Sequence, residues 1–202
     1  MRVHHRFDAP SLARACALTI GNFDGVHRGH QAMLALLANE ARHRGVASCV
    51  LTFEPHPRDF FAARASRPEI APTRVTTLRD KLAELERCGI DQTVVLRFDA
   101  RLSAMAPEAF IERVVQRGLG ARYVLVGDDF RFGAQRAGDY VLLDAAGSRA
   151  GFDGTLNCAD FTTDDTRHQT GVDLLPADQH DVRGFHGCVR GFDHSHQTAA
   201  FD

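Results

Sequence analysis

The stretch that decides the fold is Ala17-Leu18-Thr19-Ile20-Gly21-Asn22-Phe23-Asp24-Gly25-Val26-His27-Arg28-Gly29-His30. Its first four residues read as a short buried strand. From Gly29 to Arg44, Met33, Leu34, Leu37 and Ala41 recur at helical spacing, and Gly45 supplies the stop. Strand, glycine-rich turn and helix together form the opening unit of a parallel α/β sheet. The turn falls at the carboxyl end of the strand, where open sheets of this kind place their ligands. Backbone N–H groups at the helix start, with the positive end of its dipole, suit an anion. Gly21, Gly25 and Gly29 let main chain approach a ligand where a side chain would collide. His27 and His30 are three apart, so on a first helical turn both imidazoles project to one side.

Outward from this unit the pattern repeats. Val46 to Phe53 reads as a second strand, stopped by Pro55 and Pro57 because proline lacks the N–H a central ladder requires. A helix is expected over Thr77 to Cys88, capped by Thr76 or Thr77 and closed at Gly89, with a strand at Gln92 to Phe98. Pro107 to Arg117 reads as a helix with proline in its first turn, and Tyr123 to Val126 as a buried strand running into Gly127. The expectation is a doubly wound α/β fold, a parallel sheet with helices on both faces. The Arg79-Asp80-Lys81 cluster reads as the solvated face of its helix. After about Gly151 the character changes: residues 151–202 hold no Glu and no Lys, and apolar periodicity fades.

Composition narrows the function classes. Lys+Arg 24 against Asp+Glu 26 gives a net charge of -2, without the broad basic footprint of a nucleic-acid binder. Lys81 is the sole lysine, which forbids a phosphate loop of the Gly-Lys-Ser/Thr type. The 5 cysteines are odd in number and never paired as C-x-x-C, so neither a disulfide framework nor a zinc ribbon is suggested. No apolar run approaches the roughly 20 residues that span a bilayer, and Met1 to Asp8 lacks the apolar core of a secretory signal. The expected setting is the reducing cytoplasm, with small-molecule substrates, no nucleic acid and no membrane; the sequence sets no oligomeric state.

Histidine suits one chemistry in particular. If the ligand is a nucleoside triphosphate and the attacking group a phosphate, no general base is required, because a phosphate oxygen is already an anion at neutral pH. What the reaction lacks is charge stabilisation. Donors fixed where negative charge grows between the α- and β-phosphates are worth roughly 2.7–4 kcal/mol each, by analogy with an oxyanion-hole donor, with Mg²⁺ assisting. The competing readings of His27 and His30 are a His-x-x-His zinc site, whose third and fourth ligands would have to come from elsewhere, and two incidental surface histidines.

Here the sequence resembles a known family. Leu18 to Gln31, with His27-Arg28-Gly29-His30 as an H-x-G-H element, is similar to the signature of the FMN adenylyltransferase (FAD synthetase) module of bacterial bifunctional riboflavin kinase/FAD synthetases. The likeness continues in order through Leu51-Thr52-Phe53-Glu54-Pro55-His56-Pro57, Thr77 to Leu82, Cys88-Gly89-Ile90-Asp91 and Val126-Gly127-Asp128-Asp129-Phe130-Arg131-Phe132-Gly133. It implies a Rossmann-like nucleotidyltransferase fold and a reaction of FMN with ATP, with Mg²⁺, giving FAD and pyrophosphate. By that resemblance His27 and His30 are catalytic and hold the ATP phosphates. Gly21, Asn22, Phe23, Asp24, Gly29 and Thr170 belong to the ATP site, and Phe53, Pro55, His56, Pro57, Asp129, Phe130 and Arg131 to the FMN site. Locally, two prolines rigidify a loop at a strand's carboxyl end, and Phe130 and Phe132 flank Arg131 as apolar faces beside a cation. The plain alternatives are that Phe130 and Phe132 are core residues, that Asp128-Asp129 is a solvated turn and that His56 caps a turn.

The resemblance breaks in the tail. The family's Ile-Ser-Ser-Thr-x-x-Arg motif falls on Arg167-His168-Gln169-Thr170-Gly171-Val172-Asp173, which keeps Thr170 but puts a carboxylate where a phosphate-binding guanidinium belongs. Phe161-Thr162-Thr163-Asp164-Asp165-Thr166-Arg167 keeps two hydroxyls and the arginine at the cost of spacing. The expected organisation is a nucleotidyltransferase domain over 1–153 and an atypical tail over 154–202, out of frame or poorly ordered, with no riboflavin kinase domain. The competing functions are another H-x-G-H nucleotidyltransferase and a flavin- or nucleotide-binding remnant without catalysis.

Overall fold

The computed structural model describes residues 1–157 apart from Arg14. In chain order the elements are β1 (Arg2–His4), β2 (Cys16–Ile20), α1 (Arg28–Arg44), β3 (Ala47–Glu54), α2 (Pro57–Arg64), α3 (Leu78–Arg87), β4 (Gln92–Arg97), α4 (Ala100–Ser103), α5 (Pro107–Phe110), β5 (Ala121–Gly127), α6 (Tyr140–Ala150) and β6 (Asp153–Asn157). After α5 the chain winds on without a break as a π-helical stretch, Ile111–Gly118. The described strands form one sheet in the order β1-β4-β3-β2-β5-β6, and every neighbouring pair is parallel. From β2 the chain steps outward through β3 to β4, then returns to lay β5 on the other side of β2. That reversal opens a crevice at the carboxyl ends of β2 and β5.

Strand alternation produces the two covered faces. Leu18, Ile20, Cys49, Leu51, Val94, Leu96, Val124 and Val126 join Phe110, Val114, Val115 and Leu143 in one core, beneath α5, its π extension and α6. Ala17, Val50, Tyr123 and Leu125 join Leu34, Leu37 and Ala41 of α1 and Leu85 of α3 in the other. Burying each such side chain is worth roughly 1.5–3 kcal/mol, and this covering holds the strand ends rigid. Cys16 and Cys49 are free, buried thiols, and Cys49 is raised well above the usual thiol range by its hydrogen bond with Cys16 and by burial.

The expected unit around residue 20 is present, but it is the second strand of the chain, not the first. β1, α2, α4, α6 and β6 are absent from the sequence reading. The last described strand, β6, starts at Asp153, the residue where that reading ended the domain, and pairs with β5 through Asn157. One expectation is overturned: Arg79 and Asp80 are exposed, but Lys81 is 1% exposed. It shares the buried stripe of α3 with Leu85, four residues on, because the spacing that buries Leu85 points residue 81 the same way. No helix among the described residues is long and apolar enough to cross a membrane.

Candidate active site

The turn from β2 to α1 is set by its backbone. Phe23 (φ 49°) and Val26 (φ 36°) adopt left-handed conformations that L side chains rarely take. Both side chains are buried in the α1-side core, which holds the turn in this shape. Gly21 lets the Phe23 ring close in: a Cβ there would sit 3.1 Å from that ring, tighter than ordinary contact. Strain of this kind persists where packing over-determines it and clusters at binding sites.

His27 caps α1, its Nδ1 accepting the His30 backbone N–H at a long 3.4 Å. The two imidazoles stack with centroids 3.7 Å apart and planes 23° off parallel. Helical spacing therefore does place them together, over the amino end of a seventeen-residue helix. Phe23 lies tilted against His30, with centroids 5.1 Å apart. Burial first, and the neighbouring His27 second, push the His30 pKa down to about 4, so its ring is neutral at pH 7. Two polar atoms of this turn, His30 Nδ1 and Asn22 Oδ1, are buried without a hydrogen-bond partner.

Asp24 faces away from the histidines in its bonding. Its carboxylate accepts from the Val75 N–H (3.0 Å), the Thr76 N–H (3.1 Å) and the Thr76 hydroxyl (3.1 Å). Thr76 Oγ1 in turn accepts the Gly25 N–H at 3.1 Å. Burial acts to raise the Asp24 pKa, but these bonds and the Arg74 charge outweigh it and hold the carboxyl below its ordinary range. Thr77 caps α3, accepting from the Asp80 N–H, so of the two candidate caps Thr76 is freed to latch the turn.

The loop after β3 forms the next wall. His56 Nδ1 accepts the Arg58 N–H at 3.1 Å and caps α2, with Pro57 at its first position. Burial is the main cause of a lowered His56 pKa. Arg74 ties this loop down through Asp59 (3.0 Å) and Glu54 (3.1 Å). Phe53 sits edge-on to Phe98, and Phe60 and Phe61 of α2 pack against the same ring. Across the crevice, Phe130 stacks on Phe132, with centroids 5.2 Å apart and planes 21° off parallel. Phe132 is buried against Phe110, so of the two only Phe130 keeps a partly open face. Asp129 is exposed, and the exposed Arg131 pairs with Asp139 at 3.1 Å, a contact water screens.

The topology thus gathers Gly21, Asn22, Phe23, Gly29, His27 and His30 at the end of β2, Phe53, Pro55, His56 and Pro57 at the end of β3, and Asp129, Phe130 and Arg131 after β5. Thr170 lies outside the described residues. The FAD synthetase family model matches residues 9–169. The chain belongs to the FAD synthetase family.

Relatives of this FAD synthetase-family chain include the bifunctional riboflavin kinase/FMN adenylyltransferase of Escherichia coli K12, 46% identical over 151 residues, covering 75% of this chain and 46% of that protein. The Pseudomonas fluorescens protein of the same name is 47% identical over 139 residues, covering 69% of this chain and 43% of that protein. The chain thus spans less than half the length of these two. A putative member from Geobacillus thermodenitrificans is 40% identical, covering 71% of this chain and 74% of that protein. Among solved structures, a macrolide-efflux protein from Streptococcus pneumoniae superimposes with a TM-score of 0.57 at 20% identity, over 77% of this chain and 49% of the other, a likeness of fold alone.

Sequence reading missed several residues of this FAD synthetase-family site. Thr76 had no local signal as a latch, since its partner Asp24 is distant in sequence. Arg74 was passed over for the same reason. Phe98 directly follows β4 and packs against Phe53, and was visible as an aromatic at a strand's carboxyl end. The inward direction of Lys81 was readable from its spacing to Leu85.

Proposed function

We propose that this chain is an FMN adenylyltransferase, transferring AMP from ATP to FMN to give FAD and pyrophosphate. The observation that carries it is the stacked His27–His30 pair at the amino end of α1, in a crevice between the β2 and β5 ends of a chain from the FAD synthetase family. A phosphate oxygen of FMN attacks the α-phosphorus; the new P–O–P bond forms as the α–β bridge breaks, and the electron pair leaves with pyrophosphate. No proton need be removed from the nucleophile. The demand is for donors on the leaving phosphates, and the two imidazoles with the free N–H groups of α1 supply them.

The ATP side is made by Gly21, Asn22, Phe23, Asp24, Gly29, His27 and His30, with Thr170 from the tail. The unpartnered Asn22 Oδ1 and His30 Nδ1 support this, since a buried polar atom without a partner is costly unless a ligand satisfies it. Asp24 serves by holding the turn rather than by touching ligand. Mg²⁺ would enter with ATP and would offset negative charge on its phosphates. The flavin side is made by Phe53, Pro55, His56, Pro57, Asp129, Phe130 and Arg131. Phe130 offers a ring face, and Arg131, in a pair that water already competes for, can turn to a phosphate.

The test is incubation of purified chain with FMN, ATP and Mg²⁺, following FAD and pyrophosphate together. Equal amounts of both are expected. Flavin binding without product marks an inactive remnant, and AMP transfer to a different phosphorylated acceptor marks another H-x-G-H transferase.

A further inference from the structure

Lys81 is the sole lysine of the chain and sits in its interior. A leucine would satisfy the packing of α3 on the sheet; burying an ammonium instead costs several kcal/mol unless its charge is used. No carboxylate lies within 4.0 Å of its Nζ among the described residues: Asp24 is held by Val75 and Thr76, and Glu54 by Arg74. Its one hydrogen bond there, at 3.4 Å, goes to Thr52 Oγ1. Thr52, fully buried on β3, donates its hydroxyl proton to the Asn22 carbonyl at 3.2 Å, so its lone pairs are free to accept from the ammonium. The directions agree along the whole relay, from α3 through β3 to the turn after β2.

We infer that Lys81 is a positioning residue of the nucleotide site, fixing the Asn22 main chain through Thr52 and placing a buried positive charge behind His30. This deepens the reading of that turn as a triphosphate site and rests on it. The groups that face the ammonium are Arg74, whose like charge adds to burial in pushing its pKa down, and Glu54 and Asp24, which oppose. The groups that face His30 are His27 from the cap, Asp24 from the turn and Lys81 from α3; the charge of Lys81 is felt at His56 as well. A cation in this place adds to burial and His27 in holding the His30 ring neutral in the free protein. It also gives the crevice a positive potential that a polyanion meets without touching the lysine. The site's positive charge then comes from below, where substrate phosphate cannot pull it out of position.

Three variants test it. Lys81→Met removes charge and relay, Lys81→Arg keeps a charge, and Thr52→Val keeps the charge but breaks the relay. Titration of His30 by NMR in ligand-free protein is expected to move up from about 4 in Lys81→Met, with burial and His27 still holding it below its ordinary range, and to stay in place in Thr52→Val and Lys81→Arg. In FAD formation, Lys81→Met is expected to lower kcat/KM for ATP on the order of 10–100-fold, the range seen for partners that orient groups in a site. Thr52→Val lowers it less. A folded Lys81→Met with wild-type His30 titration and wild-type kcat/KM overturns the inference. Should that variant not fold, Thr52→Val decides: wild-type kinetics in it overturn the relay. Absence of FAD formation by wild type would defeat the functional reading alone, since the His30 titration needs no substrate.

Discussion

His30 has a depressed pKa of about 4, a neutral ring at pH 7 and a buried Nδ1 with no partner. A neutral imidazole can donate one hydrogen bond, so in the free protein this ring is available as a donor without carrying a charge. His30→Ala should lower kcat for FAD formation by about 10²–10³, the cost of one transition-state donor, with FMN affinity by fluorescence quenching nearly unchanged; equal losses in both would put His30 on the flavin side. The same pKa has a consequence for folding. Between about 6.5 and about 4 the unfolded chain binds a proton at this ring that the folded chain does not, so its contribution to stability falls as pH falls through that window. Urea midpoints at pH 7 and pH 5 should therefore converge in His30→Gln relative to wild type; an unchanged difference contradicts the assignment. The histidines and their shared side were readable from a spacing of three, because helix geometry is local. Their stacking, and the buried charge of Lys81 felt at His30, were not, because they depend on packing and on a residue of α3 distant in sequence.

At the scale of elements, the turn and the start of α3 behave as one part. Asp24 receives three hydrogen bonds from Val75 and Thr76, and Gly25 donates back to Thr76. Asp24→Asn keeps the shape but loses the charge that strengthens those bonds, and should destabilise the protein by about 1–3 kcal/mol. It should also speed hydrogen exchange at the Val75 and Thr76 amides; unchanged protection there would show that the latch is not what orders the segment. Elements with strong local punctuation were legible: α1 between its glycine-rich turn and Gly45, β3 before its prolines, α3 after Thr77. The missed ones divide by cause. β1 and β6 are short edge strands, Arg2–His4 and Asp153–Asn157, whose order comes from a neighbour in the sheet rather than from their own alternation. α6 carried readable signals, Asp139 as cap and Gly151 as stop, but a weak apolar stripe between them. Lys81 was misread because Arg79 and Asp80 beside it are in fact solvated.

Across the whole molecule, the crevice exists because β2 sits between strands whose connections run in opposite directions, with a core on each face. Leu18 and Leu34 are each 0% exposed, in separate cores on opposite sides of β2. Truncating either to alanine should cost about 2–5 kcal/mol, and the double variant should lose the sum to within about 0.5 kcal/mol, measured by denaturant unfolding; strong coupling would show that the two cores are not separated by the sheet. A parallel sheet with helices on both faces followed from alternating strand and helix signals; the order of its strands needed the folded chain. The partners across the crevice, such as Phe98 beside Phe53, needed the folded chain.

The central claim is that the His27–His30 turn directs attack at the α-phosphorus of ATP by FMN. It is tested most directly with ATP radiolabelled at the α-phosphorus, given to wild type, His27→Ala and His30→Ala in the presence of FMN and Mg²⁺. The account predicts label in FAD with wild type, none in pyrophosphate, and strongly reduced transfer by both variants while each still binds FMN. Label in pyrophosphate, or undiminished transfer by the variants, would contradict it.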